Sequence, residues 1–218
     1  MERKITVKGI GRAVVQPDYV EISIELRAMH KTYEKAMAES NDQILNLTSY
    51  LKEAGIPEKD IKTTNFDVDA TYDQVEDEHG KYTSVFKGYK VSHDVKIGFP
   101  LDMERLDAVL DAIATSEATP RFSIEFTVQD NTAVQEELLR SAAANAKKKA
   151  EILCNAVGNT LGELISIEYS WKTISFISET TYEAPHPLRR GIKAKKSWNF
   201  HPDDIDVTDT AVFIWAIL

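Results

Sequence analysis

Four segments of this chain alternate apolar and polar residues almost without interruption, and that period of two constrains the fold more than any other feature. Val20, Ile22, Ile24 and Leu26 fall on one side of the first segment, with Glu21, Ser23 and Glu25 on the other. Phe66, Val68, Ala70 and Tyr72 interleave with Asp67, Asp69, Thr71 and Asp73. Tyr89, Val91, Val95 and Ile97 interleave with Lys90, Ser92, Asp94 and Lys96, and Phe122, Ile124, Phe126 and Val128 with Ser123, Glu125 and Thr127. Side chains on a strand point alternately to its two faces, so each segment predicts a strand with one buried and one wet face. Strands of an all-parallel sheet are covered on both faces and read as continuous apolar runs. The alternation therefore predicts an antiparallel or mixed sheet with helices on one side only.

Three helical stretches separate the strands. The first spans about 32–54, with Tyr33, Met37, Ile44, Leu47 and Leu51 on one stripe, Gly55 at the C′ position and Pro57 as a stop. The second spans about 101–115, with Met103, Leu106, Val109, Leu110 and Ile113 facing inward. The third spans about 133–157. Thr132 and Gln135 have capping-box spacing at its start, Gly158 ends it, and Val134, Leu138, Ala142, Ala146, Leu153 and Val157 form its expected inner face. Residues 18–129 then read strand-helix-strand-strand-helix-strand, the ferredoxin-like order, which predicts the spatial strand sequence 4-1-3-2. Charge agrees with that order. Lys90 and Lys96 would lie between strands bearing Glu21 and Glu25 on one side and Asp67, Asp69 and Asp73 on the other. Each opposite-charge pair across strands is worth about 0.2–1 kcal/mol.

A strand over Ile5–Val15, the third helix, a strand near 163–171 and a last strand over 205–218 remain for a second lobe. The expected fold is α+β, two-lobed, with each lobe a two-layer α/β sandwich. A ferredoxin-like βαββαβ lobe takes 18–129. The second lobe, 1–17 plus 130–218, is built from the N-terminal strand, the long third helix and the C-terminal strands, all within one unit of 218 residues. The polar stretch 178–202, with Pro185, Pro187 and Pro202, is expected as a long connection.

Composition excludes several classes. With 43% hydrophobic residues over 218, the chain can bury a core without a metal or disulfide staple, and one cysteine excludes an internal bridge. Lys+Arg number 26 against 35 Asp+Glu, a net charge of −9, which argues against nucleic acid as a general partner. The longest apolar run, Ala211–Leu218, is far short of the roughly 20 residues a spanning helix needs, so no transmembrane segment is expected. The first residues show no apolar h-region. They predict a cytoplasmic location, or an exported one if a leader was removed.

Motifs that carry chemistry are few. Gly9-Ile10-Gly11 begins like a dinucleotide fingerprint but lacks its third glycine and has strand residues on both sides, which favours a bulge or bend. Asp67-x-Asp69-x-Thr71-x-Asp73 resembles the start of a calcium loop and reaches Glu78 at the twelfth position. Tyr72 stands where such a loop needs glycine, so a solvated strand face is the better reading. His93 sits on an apolar strand face between Val91 and Val95, a possible buried polar site; its plain alternative is a histidine at the lobe boundary, bonded to backbone. His30, His79, His186 and His201 have no metal-ligand spacing, and Cys154 sits beside Leu153 in the third helix as an expected core thiol. Arg189, Arg190, Lys193, Lys195 and Lys196 put five cations into eight residues, followed by Trp198 and Phe200. That run is a possible interaction segment, read as a subunit contact on an otherwise acidic chain, or as a solvated loop. No catalytic residue, cofactor site or metal site is assigned.

Several pieces in order resemble the SIMPL-domain family. They are Ile5-Thr6-Val7-Lys8-Gly9-Ile10-Gly11, Gln16-Pro17-Asp18 before an alternating strand, and Gly55-Ile56 with Asp60-Ile61-Lys62-Thr63. Gly88-Tyr89-Lys90-Val91-Ser92, Gly158-Asn159-Thr160-Leu161-Gly162 and the ending 202–218 complete the match, which spans the whole chain. The resemblance implies a bacterial protein of unknown function with exported immunogenic and stress-associated relatives, a two-lobed α+β fold, and ring-like or cage-like homo-oligomers. It implies no established enzymatic activity. The expected function is a non-enzymatic homo-oligomeric assembly protein that uses its sheet edges, its terminal strand with Trp215 and the 178–202 segment. A small-molecule or anionic-lipid binding module is the alternative, and an undescribed enzyme a third.

Overall fold

The computed structural model describes residues 3–76, 80, 82–170, 173–183 and 200–218. In chain order the elements are β1 (Lys4–Val15), β2 (Tyr19–His30), α1 (Tyr33–Glu53), β3 (Lys62–Glu76), β4 (Tyr82–Pro100) and α2 (Met103–Thr115). Then follow β5 (Arg121–Thr127), α3 (Thr132–Ala156), β6 (Leu161–Glu168), β7 (Ile177–Glu183) and β8 (Ile205–Ile217). The fold is α+β. One sheet has the order β1-β8-β6 and the other β3-β4-β2-β5-β7, and their strand pairs β1–β8, β6–β8, β2–β4 and β3–β4 are antiparallel. The chain divides into two compact units, one of residues 1–18, 127–179 and 202–218, the other of 19–126 and 180–201.

In the second of these units the four alternating segments take the predicted 4-1-3-2 order, with β7 added beside β5. Val20, Ile22, Ile24 and Leu26 of β2, and Val95, Ile97 and Phe99 of β4, pack against Leu47 and Leu51 of α1 and Leu106, Val109, Leu110 and Ile113 of α2. Tyr182 and Phe200 lie against the same core, where Phe200 approaches Phe126 at a ring distance of 5.8 Å. Gly55, at φ +86°, ends α1 as expected. Asp102 caps α2, its carboxylate accepting from the N–H groups of Glu104 (2.9 Å) and Arg105 (3.2 Å). On the open face Lys96 pairs with Glu21 and Lys90 stands directly across from Asp69, as expected, but Lys96 also faces Lys62 and Glu25 faces Asp94.

In the first unit β1 and β8 pair without interruption from Lys4↔Ala216 to Val15↔Ile205, so the expected bulge at Gly9-Ile10-Gly11 does not occur. The glycines have another cause. A Cβ on Gly9 would lie 2.2 Å from the carbonyl oxygen of Ala142, and one on Gly11 would lie 1.9 Å from that of Leu138. They let α3 rest directly on the strand.

The buried stripe of α3 is Leu138, Ala142, Ala146, Ala150 and Cys154, a strict step of four. Leu153 and Val157, expected inside, are 53% and 71% exposed. At the start of α3 the N-cap position falls to Asn131 rather than Thr132, and Asp130 just before it bonds the first turn. Its carboxylate accepts from Thr132 N–H (2.9 Å), and the bonds to Thr132 hold Asp130 below its ordinary pKa. Trp215, expected on an available terminal strand, is buried and stacks on Phe213 at 5.5 Å in the centre of the sheet. Cys154 is buried, as expected.

Candidate functional site

β4 is 19 residues long and outruns its neighbour β2. It pairs with β2 only from Tyr89 to Pro100, whereas β3 follows it to Tyr82. Residues 71–76 and 82–88 therefore form a two-stranded arm whose strand partners, among the described residues, are only each other. Gly88 makes the departure possible: at φ +153°, a Cβ there would lie 2.6 Å from the carbonyl oxygen of His30, the last residue of β2. A register shift between Thr71 and Tyr72 places Lys87 as the extra residue, and its ammonium meets Asp73 at 2.9 Å.

The arm exposes large apolar side chains on both faces, interspersed with polar ones such as Gln74, Ser84 and Glu76 on one and Asp73 and Thr83 on the other. Tyr72 (56% exposed), Phe86 (43%) and Tyr82 (62%) lie on one, Val75 (50%) and Val85 (49%) on the other. Tyr72, Phe86, Tyr89 and Tyr33 form a chain of edge-to-face aromatic contacts at 5.6, 5.3 and 5.8 Å, leading from the arm to the start of α1. A two-stranded ribbon is at best marginally stable in water.

At the base of β3 a second register shift, between Thr63 and Asn65, sends neighbouring side chains to opposite faces. On the helix face His93 is half-buried across from Leu26 and Phe66. Its Nε2 lies 3.0 Å from the Thr63 hydroxyl and its ring 5.1 Å from Phe66. Its partner is thus a hydroxyl rather than the expected backbone group, and its Nδ1 is buried without a partner among the described residues. Burial lowers the His93 pKa below the ordinary value of about 6.5, opposed by the Asp94 carboxylate. The native state therefore favours the neutral ring, while the unfolded chain takes up a proton sooner. The contribution of His93 to stability is complete above the ordinary pKa and is lost as pH falls through the lowered one. Melting temperature should fall from about pH 7.5 to about pH 5 more steeply in the wild type than in His93→Gln; equal slopes would show that His93 is not the titrating group.

On the open face Asn65 Nδ2 donates to Asp94 Oδ2 at 3.2 Å, and Asp94 Oδ1 is buried without a partner among the described residues. Glu25 stands directly across from Asp94 and pairs with Arg27. Glu25 and Asp94, with Ser23, Arg121, Ser123 and Glu183, line a concavity of about 650 Å³. Three carboxylates around one arginine can hold a small polar group. Among the described residues no cluster of histidine, cysteine or carboxylates has the geometry to hold a metal ion.

The first unit contains a buried carboxylate that pattern reading passed over. Asp209, 6% exposed, interrupts the inward row Ile205, Val207, Ala211, Phe213 and Trp215. Tyr169 OH donates to Asp209 Oδ2 at 2.7 Å and Thr210 N–H to Oδ1 at 2.7 Å, and the bond to Asp209 raises the Tyr169 pKa. One charged residue in an otherwise apolar alternation was the available signal. Tyr169→Phe should cost about 1–3 kcal/mol by leaving Oδ2 without its donor, read as a drop in urea midpoint.

The basic run Arg189, Arg190, Lys193, Lys195, Lys196 and Trp198 lies outside the described residues, as do His79 and His186. Asp67, Asp69, Thr71 and Asp73 lie in β3, a strand rather than a calcium loop. β7 falls inside the stretch expected as a connection.

The chain is similar to the 26 kDa periplasmic immunogenic protein of Brucella abortus (strain S19), 26% identical over 164 residues that cover 75% of this chain and 65% of the relative. The protein of the same name from Brucella melitensis biotype 1 is 25% identical over 164 residues, with the same coverage. The match thus spans 65% of the length of these curated relatives. Both names say periplasmic, which overturns the cytoplasmic location expected from the first residues. The sequence profile of the SIMPL family, described as a protein of unknown function (DUF541), matches residues 5–215, and the chain belongs to that family.

Proposed function

We propose that this is an exported, non-enzymatic assembly protein of the cell envelope that forms a homo-oligomer through the β3–β4 arm. The observation that carries the reading is the arm itself: two strands whose Tyr72, Phe86, Tyr82, Val75 and Val85 are about half exposed in the single chain. The periplasmic names of the relatives support the location.

A heterologous contact fits the charges. β3 carries Asp67, Asp69, Asp73 and Glu76 against Lys62 alone, so two β3 edges would repel. The sequence supplies the complement in Arg189, Arg190, Lys193, Lys195 and Lys196. An acidic, aromatic arm of one copy meeting the basic run of the next is a head-to-tail contact, which closes into rings when the rotation allows.

Size-exclusion chromatography with light scattering tests this. The expected particle is a multiple of 24.5 kDa, and the double charge reversal Arg189→Glu with Arg190→Glu shifts it toward the single chain. A 24.5 kDa species at all micromolar concentrations overturns the reading.

A further inference from the structure

We propose that the crevice between the outer edge of β1 and α3 is a binding site for a phosphate-class anion. The argument begins with an unmet need. Among the described residues β1 is an edge strand, and its outward backbone groups have no neighbouring strand to bond. Three α3 side chains at four-residue intervals supply the partners. Ile10 N–H donates to Asn145 Oδ1 at 3.1 Å, Arg12 N–H donates to Ser141 Oγ at 3.2 Å, and Lys149 Nζ donates to the Lys8 carbonyl at 3.2 Å. The close seating of α3 on Gly9 and Gly11 brings those side chains to the edge.

Closing the edge in this way consumes acceptors and leaves donors. An amide whose oxygen accepts from a strand N–H keeps its NH₂ free, and a hydroxyl that accepts keeps its own proton. Lys149 gives one proton to a neutral carbonyl, so its charge is uncompensated and two N–H bonds remain. Arg12 is exposed, and among the described residues neither it nor Lys149 has a carboxylate partner.

Ile10, Arg12, Ser141, Asn145 and Lys149 line a cavity of about 410 Å³. Its polar side chains offer two cations, an amide NH₂ and a hydroxyl proton. The next residue toward the N-terminus on that helix stripe, Glu137, has the opposite sign and marks where the donor-only stretch ends. A tetrahedral dianion with several acceptor oxygens matches this set better than a carboxylate, which has two. On a chain of net charge −9 such a site acts by local geometry and not by general attraction.

The same chemistry is carried by a soluble phosphate and by a lipid phosphate headgroup, so the test has two arms on the full chain. Inorganic phosphate is titrated calorimetrically against chloride at constant ionic strength, and binding to phosphatidylglycerol vesicles is measured by co-sedimentation with and without phosphate. The variants are Arg12→Gln, whose side chain bonds to no described residue and whose loss should leave the fold intact, and Arg12→Gln with Lys149→Gln; melting curves verify folding. Saturable phosphate binding that weakens at least tenfold in Arg12→Gln, and further in the double variant, supports the site. Vesicle binding that phosphate displaces and Arg12→Gln weakens supports a headgroup at the same place; phosphate binding without vesicle binding supports a soluble ligand. Failure of both probes to bind saturably, or binding that Arg12→Gln leaves unchanged, overturns the proposal.

Discussion

Gly11→Ala should destabilise the protein by about 3 kcal/mol or more, near the upper end for a single substitution. Its Cβ would sit 1.9 Å from the Leu138 carbonyl oxygen and 2.8 Å from the carbonyl carbon, so the obstacle is helix backbone and not a side chain that can rotate away. Relief requires α3 to lift from β1. That movement would also stretch the bonds from Ile10 N–H to Asn145 and from Arg12 N–H to Ser141, and open the packing of Leu138 against Ile205 and Val207. Gly9→Ala should behave similarly, with Ala142 O at 2.2 Å and Ala146 Cβ at 2.9 Å. Alanine in a strand otherwise gains about 0.5–1 kcal/mol over glycine. The sign of the change alone therefore separates close helix–strand packing from a flexible link, and urea denaturation with an unchanged m-value would measure it. A neutral or stabilising Gly11→Ala would mean that α3 does not rest on β1.

The second large effect is expected at the arm. Tyr72→Glu combined with Phe86→Glu should weaken self-association at least a hundredfold, about 2.8 kcal/mol at 1.4 kcal/mol per factor of ten. Folding should survive, because both side chains are about half exposed in the single chain and contact each other and Tyr89 rather than the main core. Replacing both rings removes the apolar area that a buried interface would cover, whereas on a solvated arm the change is nearly neutral. Analytical ultracentrifugation over a concentration series distinguishes the two. An unchanged association constant would remove the arm from the interface.

Much of the fold was legible because alternation encodes half-buried strands directly. β2, β4 and β5 fell where the pattern put them, and charge on the open face agreed with the strand order. The arm was not legible, since Asp67–Val68–Asp69 in the sheet and Tyr72–Asp73 beyond it alternate alike, although the latter pair has lost its covering layer. The α3 stripe was misjudged because large residues were given priority. Helix and strand approach so closely that alanines and Cys154 face inward, while Leu153 and Val157 point to solvent. β7 was missed because Glu179, Thr180 and Thr181 resemble a loop; pairing with β5 at the edge of the sheet requires little apolar content. His93 was found, but its hydroxyl partner depends on a register shift in β3 that no local pattern announces. The edge-closing set Ser141, Asn145 and Lys149 was hidden for a related reason: a step of four identifies a helix face, and only the glycines of a distant strand say what that face covers.

The most direct measurement of the central claim is amide hydrogen exchange along β3. In a single chain the strand lies at the sheet edge, so every second N–H between Lys62 and Glu76 faces away from β4 and exchanges quickly. If the arm is the contact between copies, those outward amides are protected at micromolar concentration, and the protection disappears on dilution and in the Tyr72→Glu, Phe86→Glu variant. Fast exchange at every concentration, in a particle that nonetheless scatters as an oligomer, would place the interface elsewhere and contradict the account.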